Sequence, residues 1–131
     1  MFHYKNEAMF SKAFVQALRN RNWFVQRIES GETGKGIPDI YAIAPNGTPF
    51  WFELKRVHII ANSFNSIGIP WRPGQQAWLM KARLYKQKVF TIACCNNVIL
   101  KISHDSMHKN NLVRMYGPGV ETYESIASLF N

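Results

Sequence analysis

Acidic residues are scarce in this sequence. The 131 residues include eight Asp and Glu against sixteen Lys and Arg, which leaves a formal charge of +8 at neutral pH. Such an excess of positive charge on a small domain favours a polyanionic partner, either nucleic acid or an acidic membrane surface. No basic amphipathic helix with a clean apolar face stands out in the sequence, so we expect nucleic acid rather than a membrane.

Cysteines and long apolar segments are also few. The two cysteines, Cys94 and Cys95, are neighbours that cannot pair without strain, so we expect no disulfide framework and a reducing cytoplasm. The longest apolar run is far shorter than a membrane span, and no signal peptide is expected. Hydrophobic residues make up 47% and aromatic residues 14% of the chain, which excludes disorder and predicts one packed domain.

Two short apolar runs predict a β-hairpin. Ile40–Ala44 and Thr48–Phe52 are rich in aromatic and β-branched residues, and Pro45-Asn46-Gly47 separates them. The connection has two possible forms, a two-residue Asn-Gly turn or a three-residue loop. In the loop, Pro45 and Asn46 form the centre of a type I turn and Gly47 follows in a left-handed conformation. Proline suits the first central position and glycine the last, so the three-residue loop is favoured.

The form of the turn decides whether the charged residues at the open end of the hairpin meet. The two-residue turn would set Asp39 opposite Leu54, with Glu53 on the other face of the sheet. The three-residue loop sets Asp39 opposite Glu53, with their Cβ atoms about 5 Å apart. Lys55 falls on that same face, because side chains alternate along a strand. We therefore expect two carboxylates and an ammonium group together at one edge of a sheet.

Each of these charged residues has an ordinary explanation when it is taken alone. An Asp after a proline is usually a turn residue, and a Lys at the end of a strand is usually solvated. Their combination is less ordinary, because a carboxylate within an apolar strand needs a cation or a metal beside it. Two carboxylates at this distance repel each other, and a hard divalent cation is the natural way to keep both ionised.

The rest of the chain predicts further helices and strands. A first helix over Asn6–Asn20 carries Glu7 in its first turn, where a carboxylate offsets the helix dipole. A second helix is expected over Pro73–Gln87, with Pro73 at its first position and an apolar side that includes Tyr85. The remaining expected strands cover Trp23–Ile28, Val89–Cys95 and Val98–Ile102, and a helical extension over 103–131 is expected to contain helices at His104–Asn111 and Tyr123–Phe130.

Three segments occur in a defined order along the chain: Gly36-Ile37-Pro38-Asp39-Ile40, then Phe52-Glu53-Leu54-Lys55-Arg56, then Arg72-Pro73-Gly74-Gln75-Gln76-Ala77-Trp78-Leu79. Together they resemble the signature of the PD-(D/E)XK nucleases, and of the VRR-NUC branch in particular. The resemblance covers roughly Asn6 to Ile99. It implies an α/β protein with a restriction-endonuclease-like αβββαβ core over about 6–102, whose mixed central sheet is flanked by helices. It also implies a small stand-alone nuclease in the cytoplasm of a bacterial or phage-infected cell.

The resemblance assigns roles to the residues of these segments. It implies Mg²⁺, for which Mn²⁺ can substitute, bound by Asp39, Glu53 and the backbone carbonyl of Leu54, with Glu7 assisting directly or through water. Glu7 therefore has two interpretations, metal binding and compensation of the helix dipole. Lys55 would orient the attacking water or offset charge on the phosphate, and Gln75 would hold the water or a neighbouring phosphate. Gly74 stands where that branch tends to have an acidic residue.

Five cations are expected to contact DNA phosphates. One of them, Lys35, lies in a loop over Ser30–Gly36 whose three glycines would let the backbone pass close to a DNA strand; the others are Arg56, Arg72, Lys81 and Arg83. Surplus apolar residues occur in Val57–Trp71 and Tyr123–Phe130, and exposed apolar patches on a small protein usually mark an interface. Cutting a four-way DNA junction requires two symmetric incisions, which asks for two copies of a one-site domain. We therefore expect a homodimer.

The function expected from these features is a structure-specific endodeoxyribonuclease of DNA recombination or repair. Small stand-alone members of the resembling family often resolve branched DNA, so a Holliday-junction-resolvase-like activity is preferred, with no small-molecule cofactor and no membrane partner. Two alternatives stay open: a catalytically inactive DNA-binding module with the same fold, and a flap or nicking nuclease.

Overall fold

A computed structural model describes residues 7–28, 36–57, 72–95, 98–103 and 111–114. Within these residues the elements follow the order α1 (Glu7–Asn20), β1 (Phe24–Arg27), β2 (Ile40–Ile43), β3 (Pro49–Arg56), α2 (Gln75–Leu84), β4 (Lys88–Cys95), β5 (Val98–Ser103) and β6 (Asn111–Arg114). The αβββαβ order expected from the sequence is confirmed, and β5 confirms the strand expected after it. No helix in this part of the chain is long and apolar enough to cross a membrane.

The strands form one mixed sheet in the order β1-β2-β3-β4-β5-β6. Only β3 and β4 are parallel to each other among these strands, and α2 supplies the crossover that a parallel pair requires. The two helices lie on opposite faces: Phe14 of α1 packs on Phe52 with ring centroids 5.3 Å apart, whereas Trp78 of α2 packs on Trp51 at 5.1 Å. Because neighbouring residues of a strand point to opposite faces, the sheet lies between α1 and α2.

The face under α1 holds the main hydrophobic core. Phe10, Phe14 and Leu18 recur every four residues along the helix, so they share one side of it and are fully buried against the sheet. Their contacts with β3 include an edge-to-face pair, and Phe50 of β3 also packs on Trp23 with centroids 5.2 Å apart. This core holds β3 in place, and β3 carries Glu53, Lys55 and Arg56, which are considered below.

The hairpin between β2 and β3 has the three-residue loop expected from its sequence. The amide of Gly47 donates to the carbonyl of Ala44 at 2.8 Å, and the amide of Ala44 donates to the carbonyl of Thr48 at 2.9 Å. Gly47 is left-handed, with a φ of +89°. The strand register pairs Ile40 with Phe52, which sets the preceding Asp39 opposite Glu53. The predicted turn and the predicted register are both confirmed.

The second helix is shorter than expected. It begins at Gln75 rather than Pro73, because Gly74 takes a left-handed conformation with a φ of +86° and serves as the N-cap. It ends at Leu84 rather than Gln87, because Lys86 is also left-handed, with a φ of +62°. The expectation that Tyr85 joins the apolar side of this helix was wrong, since its side chain is 72% exposed just past the last helical turn.

The C-terminal part departs from the expected helical extension in one described segment. Residues Asn111–Arg114 form β6, which pairs with β5 in antiparallel register from Leu100↔Arg114 to Ser103↔Asn111. Its side-by-side pairing with β5 extends the sheet beyond the predicted core. Several other predicted features lie outside the described residues: Asn6, Lys35, the apolar segment over 58–71 and the final helix over Tyr123–Phe130.

Candidate active site

Asp39 stands where β1, β2 and β3 meet at one edge of the sheet. Its backbone carbonyl accepts a hydrogen bond from the amide of Ile28 at 2.8 Å, which ties it to the end of β1. Its carboxylate Oδ2 accepts from the amide of Leu54 at 3.1 Å, which ties it to β3. The first bond continues the β1–β2 pairing and the second crosses to β3, and together they hold the carboxylate beside Glu53.

Glu53 is buried, with only 1% of its surface exposed. Its Oε2 accepts a hydrogen bond from Gln75 Nε2 at 3.0 Å and lies 3.3 Å from the ammonium nitrogen of Lys55. Its other oxygen, Oε1, is also buried and has no hydrogen-bond partner within the described residues. A buried carboxylate oxygen without a partner is costly, so this position favours a further cation or donor.

The surroundings of Glu53 change its acidity. Its surroundings together raise the pKa of the Glu53 carboxyl from 4.5 to about 7; burial is the largest cause, and the neighbouring charge of Asp39 acts in the same direction. The ammonium group of Lys55 acts in the opposite direction. The net effect is that Glu53 resists ionisation near neutral pH unless more positive charge comes close.

Lys55 lies on the same face of the sheet as Glu53, as the period-two alternation of β3 predicted. Its side chain is only 3% exposed, which is unusual for a lysine. The burial of a long cation beside a buried carboxylate orders both side chains. The expected cluster of two carboxylates and one ammonium group is therefore present at this edge of the sheet.

The start of α2 contacts both carboxylates. Gln75 is 2% exposed, donates to Glu53, and accepts a hydrogen bond from the backbone amide of Arg72 at 2.8 Å. The guanidinium of Arg72 lies 4.0 Å from Asp39 Oδ1 and is 57% exposed. Gln75 thus reaches the buried carboxylate, and Arg72 reaches the accessible one from the solvent side.

Glu7 faces a cleft beside the carboxylate pair. This cleft has a volume of about 290 Å³ and is lined by Glu7, Ala8, Ser11, Arg27, Ile28, Asp39 and Leu54. The Glu7 carboxylate accepts a long hydrogen bond of 3.4 Å from the amide of Arg56. No three His, Cys, Asp or Glu side chains of the described segments are grouped to share one ion, so the metal-binding interpretation of Glu7 stays a prediction.

Two residues of this cleft, Ser11 and Arg27, were not among the predicted site residues. Arg27 ends β1, and its Nη2 lies 3.3 Å from Ser11 Oγ on α1. A sequence signal for Ser11 existed, because it lies four residues after Glu7 and so on the same side of the helix. Arg27 had no comparable signal, since an exposed arginine at a strand end is ordinary. Its presence puts a cation beside the cleft that holds Asp39.

The predicted DNA-binding cations fall into two groups. Arg72 lies just before α2, 4.0 Å from Asp39 Oδ1, whereas Arg56 follows Lys55 on β3 and its backbone amide donates to Glu7. Lys81 and Arg83 are exposed in the last turn of α2, about 9 to 12 Å along the helix from Gln75. They are two positions apart and so point in different directions from the helix. Lys35 is outside the described residues.

The donors at this site fit a hard divalent cation. Asp39 and Glu53 supply carboxylate oxygens, the Leu54 carbonyl lies on the strand between Glu53 and Lys55, and Mg²⁺ prefers oxygen ligands of these kinds. The unpartnered Oε1 of Glu53 and the raised pKa of its carboxyl both favour a cation next to the pair. The described residues thus fit the metal that the sequence resemblance implies.

Two solved structures share the fold of this chain. A VRR_NUC domain superposes with a TM-score of 0.51, at 19% identity over 68% of this chain and 84% of that one. Hjc, a Holliday junction resolvase from the archaeal hyperthermophile Archaeoglobus fulgidus, superposes with a TM-score of 0.57, at 14% identity over 95% of this chain and 99% of the resolvase. Comparisons with family models and with curated proteins find no match. At these identities the likeness shows a common fold, so the predicted restriction-endonuclease-like architecture is confirmed.

Proposed function

We propose that this protein, which shares its fold with a VRR_NUC domain and a Holliday junction resolvase, is a Mg²⁺-dependent nuclease that hydrolyses phosphodiester bonds in DNA. The observation that carries the proposal is the pairing of Asp39 with the buried Glu53, whose Oε2 contacts both Lys55 and Gln75. Each of these four side chains was expected from the sequence to take part in one site.

The arrangement is hard to explain by stability alone. Burying a carboxylate beside a second carboxylate destabilises the folded chain, and an apolar residue at position 53 would avoid that loss. The raised pKa of the Glu53 carboxyl and its unpartnered oxygen are signs of this destabilisation. Groups with strongly shifted pKa values in or beside a cleft are frequent in active sites, which supports a catalytic role.

The residues of the site have distinct tasks in this proposal. Asp39, Glu53 and the Leu54 carbonyl hold the ion, and Mg²⁺ when bound supplies an activated water and offsets negative charge on the phosphate. Lys55 positions its ammonium group next to Glu53, where it orients the attacking water and stabilises charge that develops on the phosphate oxygens. Gln75 orients Glu53 through its hydrogen bond and presents an amide to water or phosphate.

The proposed substrate is DNA, held mainly through its phosphates. Arg72 lies beside Asp39, Arg56 ends the strand that carries Glu53, and Lys81 and Arg83 add positive charge along α2. The formal charge of +8 adds a long-range attraction for any nucleic acid. Such contacts carry no base sequence, so selectivity would come from the shape of the DNA.

Branched DNA is the proposed target within this class. The solved structure that covers 95% of this chain is that of a Holliday junction resolvase, and this chain matches 99% of that one. Two symmetric cuts require two sites, so the proposal includes a homodimer whose sites face one junction. The alternatives are a flap or nicking nuclease, which would need a single site, and an inactive DNA-binding module, which would have no reason to keep Glu53 buried beside Asp39.

A cleavage panel tests the proposal. Purified protein is incubated with linear duplex, flapped and four-way-junction DNA in Mg²⁺, in Mn²⁺ and in EDTA. The expected result is metal-dependent cleavage, with the junction cut fastest, and its loss in Asp39→Asn and Glu53→Gln variants. Binding without cleavage in either metal would leave the inactive module, and cleavage of flaps alone would replace the resolvase assignment.

A further inference from the structure

Gly36 makes an unusually close backbone approach to the start of α2. A Cβ atom on Gly36 would overlap the carbonyl oxygen of Gly74, would lie 2.5 Å from the Gly74 carbonyl carbon and would lie 3.0 Å from the Gln75 nitrogen. These neighbours are backbone atoms, which cannot swing aside as the end of a flexible side chain can. Gly36 is also left-handed, with a φ of +90°.

The two glycines bring the segment that leads into Asp39 into contact with the segment that carries Gln75. Gly36 comes three residues before Asp39 in the chain, and Gly74 comes immediately before Gln75. The carbonyl of Gly74 also accepts the first hydrogen bond of α2, from the amide of Trp78 at 2.9 Å. The helix therefore begins in direct contact with the segment that leads into Asp39.

If a side chain at position 36 pushed the two segments apart, we expect the start of α2 to move more than Asp39. Asp39 is held to β1 and β3 by its bonds with the amides of Ile28 and Leu54. Gln75 is held by side-chain bonds to Glu53 and to the Arg72 amide, at 3.0 and 2.8 Å. Hydrogen bonds of this length weaken steeply when one partner moves, so pushing the start of α2 outward would separate Gln75 from Glu53.

We infer that Gly36 is a positioning residue for the carboxylate pair: the absence of a side chain at position 36 lets Gln75 reach Glu53. The structural half of the inference is the coupling between Gly36 and Gln75, and it stands on contacts alone. The functional half rests on the proposed function, because it states that this coupling sets the affinity of Asp39 and Glu53 for a divalent cation. Partners that orient metal ligands typically change metal affinity 10- to 100-fold when removed.

A simpler role for Gly36 would be to supply a left-handed backbone only. The chain contains a matched control for that role at Gly47, which has a φ of +89° but would meet nothing within 4 Å if it carried a Cβ. Alanine at either position has the same backbone strain, and only alanine at position 36 also has the overlap with Gly74. Asparagine tolerates the left-handed conformation, so it relieves the strain but not the overlap.

The first experiment measures the coupling without metal. The midpoints of thermal unfolding are compared in EDTA for Gly36→Ala, Gly47→Ala and Gln75→Ala, and for the two double variants with Gln75→Ala. We expect the Tm loss from Gly36→Ala to shrink in the Gln75→Ala background, and the loss from Gly47→Ala to stay the same. We also expect Gly47→Asn to recover Tm relative to Gly47→Ala, and Gly36→Asn not to recover it. Additive losses at position 36, or recovery by asparagine there, would overturn the inference.

A measurement on a chain that keeps Gly36 covers the case in which the position-36 variants do not fold. In Gln75→Ala, the backbone amide resonance of Gly36 is expected to shift while that of Gly47 does not. An unchanged Gly36 resonance would overturn the coupling.

The second experiment measures the effect on the ion. Mg²⁺ is titrated against the Tm of the wild type, Gly36→Ala, Gly36→Asn and Gly47→Ala. The half-saturating Mg²⁺ concentration is expected to rise about 10- to 100-fold in both position-36 variants and to stay unchanged in Gly47→Ala. An equal change at both glycines would overturn the positioning role. If the wild type shows no response to Mg²⁺ while the coupling is present, the proposed function fails and the Gly36–Gln75 coupling stands.

Discussion

Gln75 donates a hydrogen bond of 3.0 Å to Glu53 across 22 residues of sequence, from the first turn of α2 to the middle of β3. Both side chains are almost fully buried. The bond connects the acid pair, to which Glu53 belongs, with the segment at the start of α2 that carries Arg72 and Gln75. Any change that moves α2 relative to β3 therefore acts on the carboxylates directly.

Replacing Lys55 with alanine is expected to abolish cleavage and to leave DNA binding largely intact. The ammonium group lies 3.3 Å from Glu53. In the proposed mechanism it acts at the reacting centre, whereas binding would rest on many phosphate contacts. A loss of about 100- to 1,000-fold in kcat is typical when one such electrostatic group is removed. Single-turnover cleavage and fluorescence anisotropy measure the two quantities. Lys88→Ala, at an exposed lysine over the Phe50 ring, is the control, and equal losses of binding and cleavage in Lys55→Ala would make Lys55 a docking residue.

The stability of the metal-free protein is expected to fall as pH rises from about 4.5 to 7. The pKa of Glu53 is raised in the folded chain to about 7, mainly by burial, so the folded state holds the proton more tightly than the unfolded state does. Proton binding by Glu53 stabilises the folded chain fully below the unfolded pKa of 4.5, and this contribution is lost as the pH rises through the folded pKa of about 7. The free energy of unfolding falls by an amount on the order of 3 kcal/mol. Urea unfolding in EDTA from pH 4 to 9 measures it as the difference between wild type and Glu53→Gln. A difference that favours the wild type more as pH rises would contradict the shift.

Mg²⁺ is expected to raise the Tm more at pH 8 than at pH 5.5. Carboxylate ligands must be ionised to bind a metal, and Glu53, with a pKa of about 7, is mostly protonated at the lower pH. Thermal unfolding with and without Mg²⁺ measures the difference. The Asp39→Asn variant, which removes the partner carboxylate, provides the control and is expected to respond at neither pH. A response of equal size at both pH values would show that the ion binds elsewhere.

The affinity for DNA is expected to fall steeply with salt. Each phosphate contact contributes about 0.9 to the slope of log K against log salt, and Lys35, Arg56, Arg72, Lys81 and Arg83 are the predicted contacts. Replacing Lys81 or Arg83 with glutamine should reduce the magnitude of this slope by about 0.9, the contribution of one phosphate contact. The cleavage rate at saturating DNA should not change. Anisotropy titrations over a range of salt concentrations measure both effects. A slope near zero for the wild type would rule out nucleic acid as the partner.

A homodimer is expected in solution or on junction DNA. Light scattering on the free protein and on its junction complex measures the mass of each. A dimer in either state supports paired incision by two sites. A monomer in both states would remove the resolvase assignment and leave a flap or nicking nuclease.

The part of the site that lies within the hairpin is predictable from sequence because its signals are local. Pro45 and Gly47 select the three-residue loop, the loop sets the register, and the register brings Asp39 opposite Glu53. The contribution of α2 is less predictable, because a glutamine in the first turn of a helix is normally solvated. The burial of Gln75 depends on the left-handed Gly74 before it and on a carboxylate far away in the sequence. The resemblance identified Gln75, but neither the approach of Arg72 to Asp39 nor that of Arg27 to Ser11 had a local signal.

The parallel pairing of β3 with β4 has a consequence for the order in which the chain folds. The β2–β3 hairpin needs only neighbouring residues, so Asp39 and Glu53 can meet early, while both are still hydrated. The β3–α2–β4 crossover closes a much longer stretch of chain and forms more slowly. The Glu53 carboxylate is desolvated when α2 packs on the sheet and Gln75 forms its hydrogen bond. The unfavourable burial of its charge therefore belongs to the late step. A negative charge on Glu53 therefore opposes the docking of α2 and leaves the formation of the hairpin unaffected.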